Sequence, residues 1–194
     1  MRKTETARKT KETDITLSLH IDGKGNAKIE TGIGFFNHML ETMTKHGFMD
    51  INVQCAGDLH VDQHHTVEDV GIVLGKAFKE ALGDKKGITR YAAVYTPMDE
   101  AMTMVAIDIS GRPYLHYDVQ IDASWTGSFD STLVEEFFRA FVNNAEITLH
   151  INKLYGKNTH HVIESVFKGF GRALDKASAI QERIDQVIST KGIL

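Results

Sequence analysis

An α+β fold made of two related halves, each running β-β-β-α-β-α, is predicted by three observations. The pentapeptide His64-His65-Thr66-Val67-Glu68 returns 96 residues later as His160-His161-Val162-Ile163-Glu164. Runs of alternating apolar residues and runs of helical apolar spacing follow one another in the same order on both sides of a join near Lys85 to Ile88. No linker composition separates the two parts, and the whole chain holds only Pro97 and Pro113. The halves are therefore read as 1–86 and 87–194, fused into one compact unit.

Ile15, Leu17, Leu19 and Ile21 alternate with Thr16, Ser18 and His20, the pattern of a half-buried strand. Asp22-Gly23-Lys24-Gly25 reads as a hairpin turn and Ala27 to Thr31 as the returning strand. Phe36, Met39, Leu40 and Met43 space a helix over Phe35 to His46, which Gly47 ends. Ile51, Val53 and Cys55 mark a strand, Gly57 to Gln63 a polar loop, and His65 to Leu82 a helix with Val67, Val70, Leu74, Phe78 and Ala81 inward. In the second half, Tyr91 to Thr96, Met102 to Ile109 and Tyr114 to Ile121 read as strands. Leu133 to Asn144 reads as a helix, Ile147 to Ile151 as a strand and His160 to Ile180 as the last helix.

Residues match across the repeat. At a shift of 96, His64, His65, Glu68, Gly75 and Ala77 meet His160, His161, Glu164, Gly171 and Ala173. With the loop shortened by two, His38 meets Glu136. Bulk properties narrow the function. A formal charge of −4 argues against nucleic acid or an anionic membrane as partner. The single cysteine, Cys55, excludes an internal disulfide framework and fits a reducing compartment. The N-terminal residues lack the apolar run of a signal peptide, and no stretch approaches the length of a membrane span. The expected location is cytoplasmic.

One His-His-x-x-Glu at a helix start reads as a capped, solvated helix end. Two copies carry more, because their surroundings have diverged while both His and the Glu have not. Thr66 stands against Val162, Asp69 against Ser165 and Ile72 against Lys168. Imidazole and carboxylate without thiolate suit Mn, Fe, Ni or Zn in a catalytic role rather than a cysteine-type structural zinc. Adjacent helical residues point about 100° apart. Each His pair is therefore expected to serve two different ions, each ion collecting ligands from both repeats, with a second subunit as a further source. His38 and Glu136 are the natural additional ligands. Arg90, Arg112, Lys168, Ser189 and Lys191 are candidate phosphate donors. Neither a P-loop nor Gly-x-Gly-x-x-Gly is present, which argues against a nucleotide cofactor.

These motifs together resemble the imidazoleglycerol-phosphate dehydratase family. The resemblance spans essentially the whole chain. It is carried by Arg8-Lys9-Thr10-Lys11-Glu12-Thr13, Gly34-Phe35-Phe36-Asn37-His38, Asp58-Leu59-His60-Val61-Asp62-Gln63-His64-His65, Pro97-Met98-Asp99-Glu100-Ala101, Asp108-Ile109-Ser110-Gly111-Arg112-Pro113, Gly156-Lys157-Asn158-Thr159-His160-His161 and Ser189-Thr190-Lys191-Gly192. It implies a hydro-lyase of histidine biosynthesis that converts D-erythro-imidazoleglycerol phosphate to imidazole-acetol phosphate. It implies two Mn2+ ions per active site, with sites between the subunits of a 24-subunit homo-oligomer. The implied fold is a duplicated, ribosomal protein S5 domain 2-like βα unit with its helices packed between two four-stranded sheets.

Carried over by motif, His38, His64, His65, Glu68, His160, His161 and Glu164 are the metal ligands. Glu136 departs from the pattern, since many members carry His there; a carboxylate suits a hard Mn site. The implied chemistry binds the ring nitrogens to two cations and favours an imidazolate that expels the hydroxyl. Glu12 is the leading acid/base candidate, followed by His46 and Asp99. Three other readings stay open on the residues: a non-catalytic metal-binding assembly, an RNA-binding βα module, and a lyase or hydrolase for another phosphorylated azole.

Overall fold

The computed structural model describes residues 1–121, 125–192 and 194. Strands β1 (Lys3–Lys9), β2 (Thr13–His20), β3 (Ala27–Glu30) and β4 (Asp50–Gly57) form one sheet in the order β1-β2-β4-β3, with helix α1 (Gly34–His46) between β3 and β4 and α2 (His64–Leu82) after β4. Strands β5 (Tyr91–Met98), β6 (Ala101–Asp108), β7 (Tyr114–Asp118) and β10 (Thr148–Tyr155) form the second sheet in the order β5-β6-β10-β7. A short ribbon of β8 (Trp125–Thr126) and β9 (Phe129–Asp130) precedes α3 (Leu133–Ala145), and α4 (Thr159–Ser178) follows β10. The two sheets have the same topology, and the duplication is real in three dimensions.

One expectation fails. β3 does not return beside β2 as a hairpin. It pairs in parallel with β4, from Ala27↔Ile51 to Glu30↔Gln54, and β4 lies between β2 and β3. Parallel neighbours need a crossover, and α1 supplies it. The Gly-rich turn serves β4 instead. Asp50 Oδ1, at the head of β4, accepts the backbone N–H groups of Lys24 and Asn26, each at 2.9 Å. A Cβ on Gly23 would lie 2.4 Å from the Asp50 nitrogen, so only glycine lets the turn pack there. Two elements escaped the apolar pattern. β1 is an edge strand with mostly exposed or half-buried residues, and the β8–β9 ribbon is too short to show a period.

The helices form a double layer between the sheets. α1 and α2 cover the first sheet, α3 and α4 the second, and across the midline α2 packs on α3 and α1 on α4. Each half thus sets its first helix against the other half's second helix. Repeat-matched glycines make both crossings close. A Cβ on Gly75 would lie 2.5 Å from the Phe141 carbonyl oxygen on α3, and one on Gly171 would lie 2.2 Å from that of Met43 on α1. The seam is filled by Phe137, Phe138, Phe141, Phe167 and Phe170, with Phe138 and Phe170 edge to face at 5.0 Å. All five are buried, and each contributes on the order of 2–3 kcal/mol of transfer free energy.

Candidate active site

Both His-His-x-x-Glu copies open their helices, and a matched polar residue fixes each opening. The Asp62 side chain accepts the His64 N–H at 2.8 Å, and Asn158 accepts those of His160 and His161 at 2.9 and 3.4 Å. Asp62 and Asn158 are themselves 96 residues apart. Such caps satisfy orphan amides of a helix N-terminus. The imidazoles of each pair then diverge. The ring centroids lie 6.2 Å apart in both copies, with interplanar angles of 82° for His64–His65 and 81° for His160–His161.

The first member of each pair, the inner one, faces the Glu of its own copy one turn along the helix. Glu164 Oε2 lies 3.1 Å from His160 Nε2 and 3.7 Å from His38 Nε2, while Glu164 Oε1 accepts from Lys168 Nζ at 2.7 Å. His38 comes from α1 of the first half, so this cluster draws on both repeats. Burial pushes the Glu164 carboxyl up, but the Lys168 hydrogen bond, with the charges of Lys168 and His38 and the His160 contact, outweighs it and holds the group below its ordinary value. The edge of the Phe35 ring packs on His160 at 5.2 Å.

This donor set fits a small divalent cation. Bonds of about 2.0–2.2 Å bring two ligand atoms to within about 4.4 Å of each other. Here one donor atom from each of His38, His160 and Glu164 lies within 4.8 Å of the others. Imidazole with carboxylate is a donor set for Mn, Fe or Zn.

In the first half, His64 Nε2 and Glu68 Oε2 are 3.8 Å apart. Glu136 is not gathered with them; among the described residues the His38 cluster is the one group of three such donors. Glu136 instead faces Arg139 Nε at 3.9 Å on its own helix. His38 offers Glu164 an imidazole, whereas Glu136 and Glu68 are both carboxylates that repel when ionised, and Arg139 lies beside Glu136 on its own helix.

The outer members meet a second matched arrangement. His65 Nδ1 lies 3.0 Å from Asp58, and its Nε2 lies 3.8 Å from Glu12. His161 Nδ1 lies 2.7 Å from Glu100, and its Nε2 lies 3.7 Å from Asp99. Glu12 sits in the β1–β2 turn and Asp99 in the β5–β6 turn, equivalent places in the two halves. Hydrogen bonds accepted by Asp58 and Glu100 raise the pKa of His65 and of His161, and Glu100 itself is lowered to about 2, chiefly by His161. Asp58 and Glu100 were not singled out from the sequence. Both lie in distinctive stretches, but the Glu100–His161 contact joins segments 61 residues apart, and the Asp58–His65 contact depends on how the loop before α2 closes. His46, in the last turn of α1, is pushed down by burial and then by the charges of Lys168 and Arg172.

Arg90, Arg112, Ser189 and Lys191 line one cavity of about 750 Å3. Arg90 is committed within it. Its Nε and Nη2 donate to the two Asp108 oxygens at 2.7 and 3.1 Å, and Nη1 donates to the Ile188 carbonyl. Lys168 does not join this group; it lies in the Glu164 cluster, also 3.2 Å from Met98 Sδ. The cavity is at the far end of α4. The Arg90 N–H donates to the Ala177 carbonyl, thirteen residues and therefore about 20 Å of helix axis beyond Glu164.

Comparison with known proteins fits this geometry. A family model described as imidazoleglycerol-phosphate dehydratase matches residues 31–174. The chain belongs to that family. The dehydratase of Caldanaerobacter subterraneus is 60% identical over 194 residues, covering 100% of both chains. That of Acetivibrio thermocellus is 58% identical over 193 residues, covering 100% of this chain and 99% of the relative. Among solved structures, the Staphylococcus aureus dehydratase superposes with a TM-score of 0.84 at 42% identity, covering 92% of this chain and 99% of that one. The Pyrococcus furiosus dehydratase gives 0.84 at 36% identity, covering 97% and 100%. Like its relatives, this member of the dehydratase family is a hydro-lyase.

Proposed function

We propose that the protein dehydrates D-erythro-imidazoleglycerol phosphate to imidazole-acetol phosphate in histidine biosynthesis, using Mn2+, in the cytoplasm. The observation that carries the reading is the convergence of His38, His160 and Glu164 from both halves, beside the diverging His161 and its mirror His65. His38, His160 and Glu164 would hold one ion; His64, His65, Glu68, Glu136 and His161 complete the ligand set for a pair. Two Mn2+ ions, when bound, supply Lewis-acid stabilisation for negative charge on the imidazole ring.

The protein groups do the rest. Lys168 keeps Glu164 anionic and aimed. Asp58 and Glu100 fix the tautomer and angle of His65 and His161, as outer-shell carboxylates do for ligating imidazoles. Glu12 is the acid/base that takes the carbon-bound proton and returns one to the product carbon, with Asp99 in the corresponding place and His46 behind it. Arg112, Ser189 and Lys191 bind the phosphate, and Arg90, anchored to Asp108, shapes their cavity.

The separation of about 20 Å along α4 between Arg90 and Glu164 exceeds what a three-carbon chain between a ring and a phosphate can span. Sharing between copies would set the cavity of one chain against the cluster of another. The separation supports active sites completed by a second copy, in a homo-oligomer of 24 subunits. The test is turnover of imidazoleglycerol phosphate by the Mn2+-loaded assembly, followed as ketone product. A fully loaded, assembled protein without turnover overturns the reading. Mixing an Arg112→Ala chain with a His160→Ala chain tests the shared site: mixed oligomers should regain activity that neither variant has alone.

A further inference from the structure

We infer that Asp69 is a positioning residue that holds the Glu12 turn against α2, a task its repeat partner Ser165 does not perform. The inference rests on the proposed acid/base role of Glu12. Asp69 is buried in the second turn of α2, next to Glu68. Its Oδ2 accepts the Thr13 hydroxyl at 2.5 Å and also the Arg8 guanidinium. Arg8 is near the end of β1 and Thr13 is the first residue of β2, so one carboxylate oxygen grips both sides of the turn that carries Glu12. Within the turn, the Thr10 hydroxyl accepts the N–H groups of Glu12 and Thr13 at 3.1 and 3.0 Å. The Glu12 carbonyl accepts from the Asp58 N–H at 3.0 Å, tying the turn to the residue that orients His65.

Among the described residues, the second half lacks this clamp. Ser165 turns its hydroxyl back to the Val162 carbonyl at 2.8 Å. The turn bearing Asp99 is held by Glu100, whose Oε1 accepts the Lys157 and Asn158 N–H groups at 3.2 and 2.7 Å. The difference has a physical rationale. Glu12 is half-exposed, with its carboxylate 3.8 Å from His65, and a side chain on a short turn is only as well placed as its backbone. A charge-assisted pair inside a buried junction gives directional restraint that a hydroxyl bonded to its own helix does not.

Asp69→Asn keeps the volume and removes the charge. In the Mn2+-loaded assembly it is expected to lower kcat by about 10²-fold, the loss that follows a misplacement of about 1 Å, with KM and metal stoichiometry unchanged. The amides of Glu12 and Thr13 should exchange hydrogen faster than in the parent protein. Arg8→Gln removes the same pair from a more exposed position and keeps the test alive should Asp69→Asn fail to fold; Arg8→Lys should restore part of kcat. In a Glu12→Gln background, Asp69→Asn should cause almost no further loss. Unchanged kcat and exchange in Asp69→Asn and Arg8→Gln, or a fully additive loss in the double variant, overturns the clamp. Full activity in Glu12→Gln alone instead removes the acid/base assignment, which separates the two failures.

Discussion

The two halves place the same helix start in different company. In the second, His160 and, from the opposite half, His38 lie 3.1 and 3.7 Å from one Glu164 oxygen. In the first, His64 and Glu68 stand 3.8 Å apart, and Glu136 turns to Arg139. The helix start was copied intact, but the third donor belongs to the crossing helix, and there the copies have diverged. The outer histidines show the reverse. His65 and His161 keep matched carboxylates on both ring nitrogens, although Asp58 and Glu100 come from non-equivalent loops. A geometric requirement has been met twice by different parts of the chain.

The sharpest way to break this comparison is at the third donor. His38→Ala is expected to lower kcat by at least about 10²-fold and to reduce bound manganese, since it removes a proposed ligand rather than a supporting group. Glu136→Ala is expected to cost less of both. Equal losses in activity and metal content would mean that Glu136 swings into the first-half cluster and that the halves work alike.

Next in size are the outer carboxylates. Glu100→Gln and Asp58→Asn should each weaken manganese affinity by about 10–100-fold, read by metal titration of the stripped protein. An effect confined to one variant would show that only one outer histidine is oriented this way.

The glycine crossings give a stability test. Gly171→Ala and Gly75→Ala push a methyl group into a backbone carbonyl and should each cost about 1–3 kcal/mol, with Gly171 the more sensitive because its contact is closer. Denaturant unfolding measures this, and a reversed order would show that the α1–α4 crossing is the softer one.

The smallest effect is in pH. In metal-free protein, His65 and His161 should titrate above the ordinary 6.5. Their raised folded values mean that each contact stabilises fully below the unfolded value and that this is lost as pH rises through the folded one. Glu100→Gln should bring His161 down and leave His65 in place, as read by ring-proton shifts. Unshifted histidines in the parent protein would count against both contacts.

Much of this was legible without coordinates. Period-2 alternation over Ile15 to Ile21 and helical spacing over His65 to Leu82 are local signals, and each element appears close to where its pattern lies. The donor types and the divergence of the two imidazoles of each pair follow from side-chain chemistry and from 3.6 residues per turn. The hairpin at Asp22–Gly25 was misread because turn chemistry reports that the chain reverses, not which strand it will lie beside; β4 takes that place by pairing across some thirty residues. β1 was missed because an edge strand buries too little to need an apolar face.

By itself, then, the amino-acid order determined the repeated βα elements, the two helix starts and the inventory of donors, because these depend on backbone periodicity and on residues within a turn of one another. Only the tertiary structure decided that His38 joins Glu164 while Glu136 does not join Glu68. It also decided that Asp58 and Glu100 lie against the outer histidines, that Asp69 grips the Glu12 turn, and that the Arg112 cavity lies a helix length from the His38–His160–Glu164 cluster. Apart from the Asp58–His65 contact, which depends on how one short loop closes, each of these depends on side chains or surfaces brought together by helix crossings and strand pairings between distant segments, where a shift of a few ångströms replaces one partner with another.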